Sequence, residues 1–363
     1  MTALPPSRPP LPGGDAPHLA ALSDRLSSLP RAQLGIFPTP LHQMPSLGRA
    51  SGSRALYVKR DDLAGLALGG NKVRSLEFLM GEALACGADT VICGGGVQSN
   101  MCRLTAAAAA KLGLRCVLVH NDYQPAQPQG NDLLNQLLGA VSIYAGPMPE
   151  ERRDELCRET AAAEAASGRR PYLVEQGGST PLGSLGYVAA AVELRRQDIR
   201  ANLDLRHVVI VGAMGGTAAG LIAGLSLLAA PYRVHVISVE YDEQELAHRL
   251  ELLSQGALAL LGEAALPGSG RLDRPVPAGE FVTLHLDYLG PGYGRPTAAG
   301  QEALLAAARQ EALLVEPIYT AKTLAGCLDL IRRGVIGRDE PCCFWHTGGT
   351  GALFALAELL PIR

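Results

Sequence analysis

In LALGGNKVRSLEF, Leu66 to Phe78, Lys72 stands directly behind Gly69, Gly70 and Asn71, where a glycine loop gives way to a helix. A single lysine is ordinarily a solvated surface charge. Between a glycine loop and a helix start, however, its amine can be stripped of water. Desolvation lowers the pKa and exposes a nucleophilic lone pair, which a lysine needs to bond covalently to a carbonyl carbon.

Two further segments are suited to anions. GGGVQSNMCR (94–103) sets three glycines before Gln98, Ser99 and Asn100. Ser99 or Asn100 alone would serve as a helix N-cap, but glycines followed by amide, hydroxyl and amide exceed what a cap needs and suggest a carboxylate pocket. VGAMGGTAAG (211–220) reads as strand, glycine turn and helix, with Thr217 adding a hydroxyl. Backbone N–H groups and the helix dipole at such a start hold a phosphate without a basic side chain. PGYGRP (291–296) and EPIYTAKT (316–323) each place a tyrosine, Tyr293 and Tyr319, in a proline-flanked turn. Tyrosines in such turns usually serve packing, so their case rests on the company they keep.

These motifs sit at the joints of an alternating pattern. Apolar β-branched runs predict strands at 55–60, 90–95, 116–121, 172–175, 207–212, 234–240 and 342–346. Ala/Leu-rich stretches between them predict helices near 73–86, 100–113, 131–139, 149–167, 181–197, 216–229, 242–256, 297–309, 321–334 and 351–360. Strands apolar along their length with helices between imply an α/β fold whose parallel sheets are covered on both faces. Gly94–Gly96, Gly177-Gly178, Gly212 with Gly215-Gly216, and Gly348-Gly349 each follow a strand and precede a helix. Those are carboxyl ends of parallel strands, where open α/β sheets bind ligands. Ser179 and Thr180, and Thr347 with Thr350, add hydroxyls there.

Composition narrows the classes. With 363 residues, 47% hydrophobic and 18% charged, the chain can bury a large core. A net charge of -3 without basic runs argues against nucleic acid as partner. The eight cysteines form no CxxC pair and HExxH is absent, so no metal is expected; reduced thiols in a cytoplasmic protein are the simplest reading. The uncharged stretch 208–232 is long enough for a membrane span, but its glycines after a β-branched run favour strand, turn and helix, and no membrane partner is expected. GxxxxGK[ST], a strand-borne GxGxxG and GxSxG are all missing, which removes P-loop, dinucleotide-fingerprint and serine-hydrolase readings. The proline-rich start reads as a flexible arm over residues 1–33.

Taken together, PTPL (38–41), VKRDD (58–62), GGNKVR (69–74), GGVQSNMCR (95–103), GGT (215–217), PGYG (291–294), EPIYT (316–320) and HTGG (346–349) resemble the fold-type II pyridoxal-phosphate enzymes. The resemblance is to the branch of D-cysteine desulfhydrase and 1-aminocyclopropane-1-carboxylate (ACC) deaminase, in that family's motif order over roughly residues 35 to 360. It implies a tryptophan synthase β-like fold of two open parallel-sheet domains with pyridoxal 5'-phosphate in the cleft between them. The larger domain would comprise 34–75 and 190–363 and the smaller 76–189, in a homodimer. By the same resemblance Lys72 carries the cofactor as a Schiff base and shuttles the Cα proton. Gln98, Ser99 and Asn100 bind substrate, with Ser99 near the reacting carbon and Asn100 also on the cofactor. Gly215, Gly216 and Thr217 hold the phosphate, Thr347 faces the pyridine nitrogen, and Tyr293 and Tyr319 flank the substrate. A cofactor that supplies the electron sink leaves the protein only anchoring, anion binding and orientation to provide.

ACC deaminases carry a glutamate after the second tyrosine; here it is Thr320, placed at the substrate. That favours α,β-elimination on a small, D-cysteine-like amino acid, giving a 2-oxo acid, ammonia and the leaving group. Ring opening of ACC is the alternative. Ser75 stands where relatives carry a second lysine, and Ala213-Met214 replace the glycine and hydroxyl positions of a GSGGT loop. Both departures fall at the phosphate end and keep open a third reading, a catalytically silent ligand-binding or regulatory relative.

Overall fold

The computed structural model describes residues 15–262 and 281–360. Among these residues ten strands form two sheets. The larger has the order β1-β2-β10-β7-β8-β9, from Leu41–Gln43, Leu56–Arg60, Cys342–His346, His207–Gly212, Arg233–Ser238 and Val282–His285. Only β1 runs antiparallel. The smaller, all parallel, has the order β5-β4-β3-β6, from Val141–Tyr144, Arg115–His120, Thr90–Gly94 and Pro171–Val174.

Twelve α-helices among the described residues cover these sheets. Along the chain they are α1 (Asp15–Ser27), α2 (Pro45–Ser51), α3 (Lys72–Ala85), α4 (Asn100–Leu112), α5 (Gly130–Leu137) and α6 (Glu150–Ala166), then α7 (Pro181–Ala201), α8 (Gly216–Leu227), α9 (Glu243–Leu260), α10 (Ala298–Glu311), α11 (Thr320–Arg332) and α12 (Thr350–Leu353). The two-residue period of a strand explains the layering. Cys343 and Trp345 of β10 pack into a core with α1, α7, α8 and α9, while Cys342 and Phe344 face α2, α10 and α11. In the small sheet, Val91 and Cys93 face α3 and α4, whereas Ile92, Val117 and Val119 face Cys157 of α6.

The observed elements differ from the expected spans at three places. The arm drawn over 1–33 is helical from Asp15: Leu19, Leu22 and Leu26, spaced to share one helix face, are buried against α7. Residues 1–14 lie outside the described residues. The helix drawn over 351–360 stops at Leu353, followed by a 3₁₀ turn at Ala357–Leu359. The division at 189/190 falls inside α7, whose Leu185, Val188 and Leu194 all join the large-sheet core. Residues 207–227 form β7 and α8, and among the described residues no helix is long and apolar enough to cross a membrane.

Candidate active site

A cavity of about 500 Å³ opens between the sheets at the carboxyl ends of their parallel strands. All four glycine loops reach it: Gly94–Gly96 after β3, Gly177 after β6, Gly215-Gly216 after β7, and Gly348-Gly349 after β10. Lys72, Gln98, Ser99, Asn100, Gly215, Gly216, Thr217, Tyr293, Tyr319 and Thr347 line this one space. Thr320 does not; it is buried outside the cavity wall.

Lys72 is the first residue of α3, and its Nζ donates to the Gly177 carbonyl at 3.2 Å. Part of its stem remains accessible, but the amine is enclosed by the cleft. That burial pulls its pKa down, opposed by the nearby Glu240 carboxylate. The positive end of the α3 dipole acts in the same direction as burial. The loop ahead of it is fixed by backbone contact: the Asn71 N–H donates to Thr347 O at 2.9 Å, and the Gly70 N–H to Asp61 O at 2.8 Å. Two glycines permit this. A Cβ on Gly69, at φ 61°, would lie 2.2 Å from Asp62 O, and one on Gly348 would lie 2.6 Å from Gly70 Cα.

Beneath the loop lies a buried charge network from the VKRDD and GGNKVR motifs. Arg74 donates to Asp61 at 2.7 and 2.9 Å and to Glu193 at 2.9 and 3.0 Å. Tyr187 Oη at 2.5 Å and Trp345 Nε1 at 2.8 Å also donate to Asp61, and Lys59 pairs with Glu193. Arg74 and these donors overcome burial and hold Asp61 far below the usual carboxylate range. The Lys72 loop therefore rests on a fully hydrogen-bonded base.

The start of α4 presents an anion site. Ser99 caps it, its Oγ accepting from Cys102 N at 3.2 Å. The N–H groups of Asn100 and Met101, both on the cavity, have no hydrogen-bond partner among the described residues. Asn131 of α5 orients this turn, donating to Gln98 O at 2.7 Å and Asn100 Oδ1 at 3.0 Å. The Gln98 amide is occupied at both ends, by Asn131 N and by Gln129 O, and so braces the loop. Arg103, one turn on, is buried with no carboxylate partner among the described residues; it donates to Gly69 O at 2.8 Å. Burial lowers its pKa to about 10, so it remains a cation at neutral pH beneath both loops.

At α8 no side chain caps the helix, and the N–H groups of Gly216, Thr217 and Ala218 have no partner among the described residues. Thr217 Oγ1 accepts from Asn71 Nδ2 at 2.8 Å, tying this turn to the lysine loop. Met214, where a hydroxyl is usual, is engaged by Tyr241 Oη at 3.1 Å. Ser75 is buried behind α7 and does not reach the cavity. On the opposite wall the Tyr293 and Tyr319 hydroxyls bond each other. The outer edge of Tyr293 is exposed, but its hydroxyl is enclosed, and burial with Glu240 nearby pushes its pKa up to about 12. Thr320 Oγ1 turns instead to Glu316, whose carboxylate also accepts the N–H groups of Ile318, Tyr319 and Thr320 at 2.7–2.8 Å.

The residues fit a pyridoxal-phosphate-sized group with an aldehyde at one end and a phosphate at the other. An enclosed amine faces one end, and an uncapped helix start with free N–H groups faces the other. Sequence reasoning did not single out Glu240, Asn131, Arg103 or Arg153. Glu240 and Arg153 line the cavity from ordinary helix and strand-end positions, with no motif to mark them.

The family described as "Pyridoxal-phosphate dependent enzyme" matches residues 32–348. D-cysteine desulfhydrase of Salmonella choleraesuis (strain SC-B67) is 39% identical over 337 residues, covering 91% of this chain and 97% of that protein. The enzyme of the same name from Salmonella paratyphi A is 38% identical over 341 residues, with the same coverage. Among solved structures, an ACC deaminase homologue superposes with a TM-score of 0.82 at 33% identity, covering 93% of this chain and 97% of that one. Threonine deaminase isoform 2 from Solanum lycopersicum shares the fold alone, with a TM-score of 0.64 at 17% identity over 98% and 93% of the two chains. The chain belongs to the pyridoxal-phosphate dependent enzymes of fold type II, and pyridoxal 5'-phosphate is its cofactor.

Proposed function

We propose that the protein is a pyridoxal-phosphate-dependent lyase that converts a small, D-cysteine-like amino acid and water to a 2-oxo acid, ammonia and the leaving group. With cysteine the products are pyruvate, ammonia and hydrogen sulfide. The observation that carries this reading is Lys72, enclosed at the start of α3 in a cavity shared with two uncapped or partly capped helix starts and a pair of tyrosine hydroxyls.

When bound, the cofactor supplies the electron sink that stabilises negative charge at the substrate Cα. The chain does the rest. Lys72 Nζ holds the cofactor covalently and afterwards takes the Cα proton, for which its lowered pKa suits it. The free N–H groups of Asn100 and Met101 bind the substrate carboxylate over the buried Arg103 charge. Tyr293 and Tyr319, both held as neutral phenols, face the leaving group, and one hydroxyl hands it a proton. Thr347 is a neutral partner for the ring nitrogen. The reading uses neither Gln98 nor Thr320 as a substrate ligand, because both side chains are committed within the protein.

Two coarser expectations extend this reading. Eight free thiols support a reducing, cytoplasmic setting. Exposed Ile36, Leu63 and Leu68, grouped around Gly65 just before the lysine loop, support an apolar contact between two copies in a homodimer.

The test is product analysis with D-cysteine, L-cysteine and ACC. Equimolar pyruvate and sulfide from D-cysteine is the expected result. Turnover of ACC alone, with 2-oxobutyrate as product, would transfer the assignment to the ring-opening branch.

A further inference from the structure

The phosphate end of the site poses a problem of charge. Lys72 and Arg153 are the basic side chains lining the cavity. Lys72 is committed to the carbonyl end. Arg153 lies against Gly94 of β3 and is ion-paired with Glu150 at 3.2 Å and Asp154 at 2.9 Å. Ser75 does not reach the cavity, and Met214 offers no donor.

One side chain on this wall is unexplained. Ser179 is 2% exposed, and its Oγ has no hydrogen-bond partner. A buried hydroxyl without a partner is costly and rare in a settled structure. It lines the cavity beside α8: a Cβ built on Gly216, the first residue of that helix, would lie 3.1 Å from Ser179 Oγ. Its own loop is unusual as well. Between β6 and α7 the chain makes a 3₁₀ turn, Glu175–Gly178, with Gln176 at φ 45° and Gly177 at φ 57°. A non-glycine residue held in the left-handed region is uncommon, and such strain gathers where a loop must be aimed. Here it aims two groups: the Gly177 carbonyl meets Lys72 Nζ, and Ser179 meets the α8 start.

We propose that Ser179 Oγ is a side-chain donor to the cofactor phosphate, completing, beside the Thr217 hydroxyl, a cradle made of neutral groups with the N–H groups of Gly216, Thr217 and Ala218. The loop 175–179 then spans the cofactor from its phosphate to the lysine that anchors it. This assignment rests on pyridoxal phosphate being the ligand of the cavity.

The experiment titrates cofactor-free protein with pyridoxal phosphate and, separately, with pyridoxal, which lacks the phosphate. Absorbance gives the dissociation constants, and melting temperatures are recorded with and without ligand. Ser179→Ala should bind pyridoxal phosphate about tenfold or more weakly, the scale of one hydrogen bond to a charged group, and pyridoxal as the native protein does. Its cofactor-free melting temperature should hold or rise, since the substitution removes an unpaired buried hydroxyl, while the rise on adding pyridoxal phosphate should shrink. Ser179→Thr, which keeps a hydroxyl, should stay within about threefold of native. Native affinity for pyridoxal phosphate in Ser179→Ala would overturn the assignment, as would equal losses for both ligands or a cofactor-free protein that melts lower. If the native protein bound neither ligand, the cofactor reading itself would fall.

Discussion

Lys72 and Thr320 show how one residue type acquires its role from its surroundings. What suits the lysine to the proposed role is that α3 begins beneath it and the cleft encloses its amine, not any feature of lysine itself. Thr320 carries the opposite lesson. Its position after the second tyrosine reads as a substrate contact, yet its hydroxyl closes a capping network with Glu316 at the start of α11. Burial keeps the Glu316 pKa above the ordinary glutamate value although three N–H groups oppose it. Thr320→Glu would set a second carboxylate into that buried pocket. The variant should lose on the order of 3 kcal/mol of stability and gain no turnover of ACC. A variant with native thermal stability and new 2-oxobutyrate production would contradict this placement.

At the scale of elements, the strand-to-helix joints were readable because each strand core is a β-branched run and each ligand loop needs glycine. β7 matches its expected span of 207–212, and α3, α4 and α8 begin within one residue of expectation. What escaped were elements whose signal is short or masked. β1 has three residues, β5 and β9 have four each at or near sheet edges, and α1 hides behind prolines. The tyrosine loop was legible as a motif, but its support was not. Lys322 of α11 sends its buried amine to the carbonyls of Leu289 and Gly292 at 2.8 and 3.3 Å, holding the turn that carries Tyr293. Lys322→Met should free that turn, raising KM roughly three- to tenfold with a smaller effect on kcat. An unchanged KM would show that the turn holds itself.

At the scale of the whole molecule, the two ends of the large sheet differ in character. The carboxyl ends carry the site. Across β7, β8 and β9 runs a chain of histidines remote from it: His207 Nδ1 to His235 Nε2 at 2.9 Å, His235 Nδ1 to His285 Nε2 at 3.0 Å, and His207 Nε2 to Glu340 at 3.1 Å. With Glu340 accepting at one end, His207 and His235 each donate once and accept once as neutral rings, and His285 donates through Nε2. Burial, reinforced by its two histidine neighbours and Arg233, lowers the His235 pKa from 6.5 to about 3. The folded protein therefore takes up this proton less readily than the unfolded chain. Its stabilising contribution is complete above pH 6.5 and is lost as the pH falls towards 3, by at most roughly 1.4 kcal/mol per pH unit. Melting temperatures should fall between pH 6.5 and 4, and His235→Phe should flatten that slope. An equally steep slope in the variant would assign the acid sensitivity to other groups. No sequence motif announces this chain, because its members are brought together only by the register of three parallel strands.

Everything proposed for this site depends on Lys72 as the covalent anchor. The most direct measurement is borohydride reduction of the protein loaded with pyridoxal phosphate, followed by peptide mass mapping. The expected result is a yellow protein whose visible band disappears on reduction, with the phosphopyridoxyl mass on the peptide containing Lys72 and none in Lys72→Ala. A label on another lysine, or a protein that stays colourless with added cofactor, would contradict it.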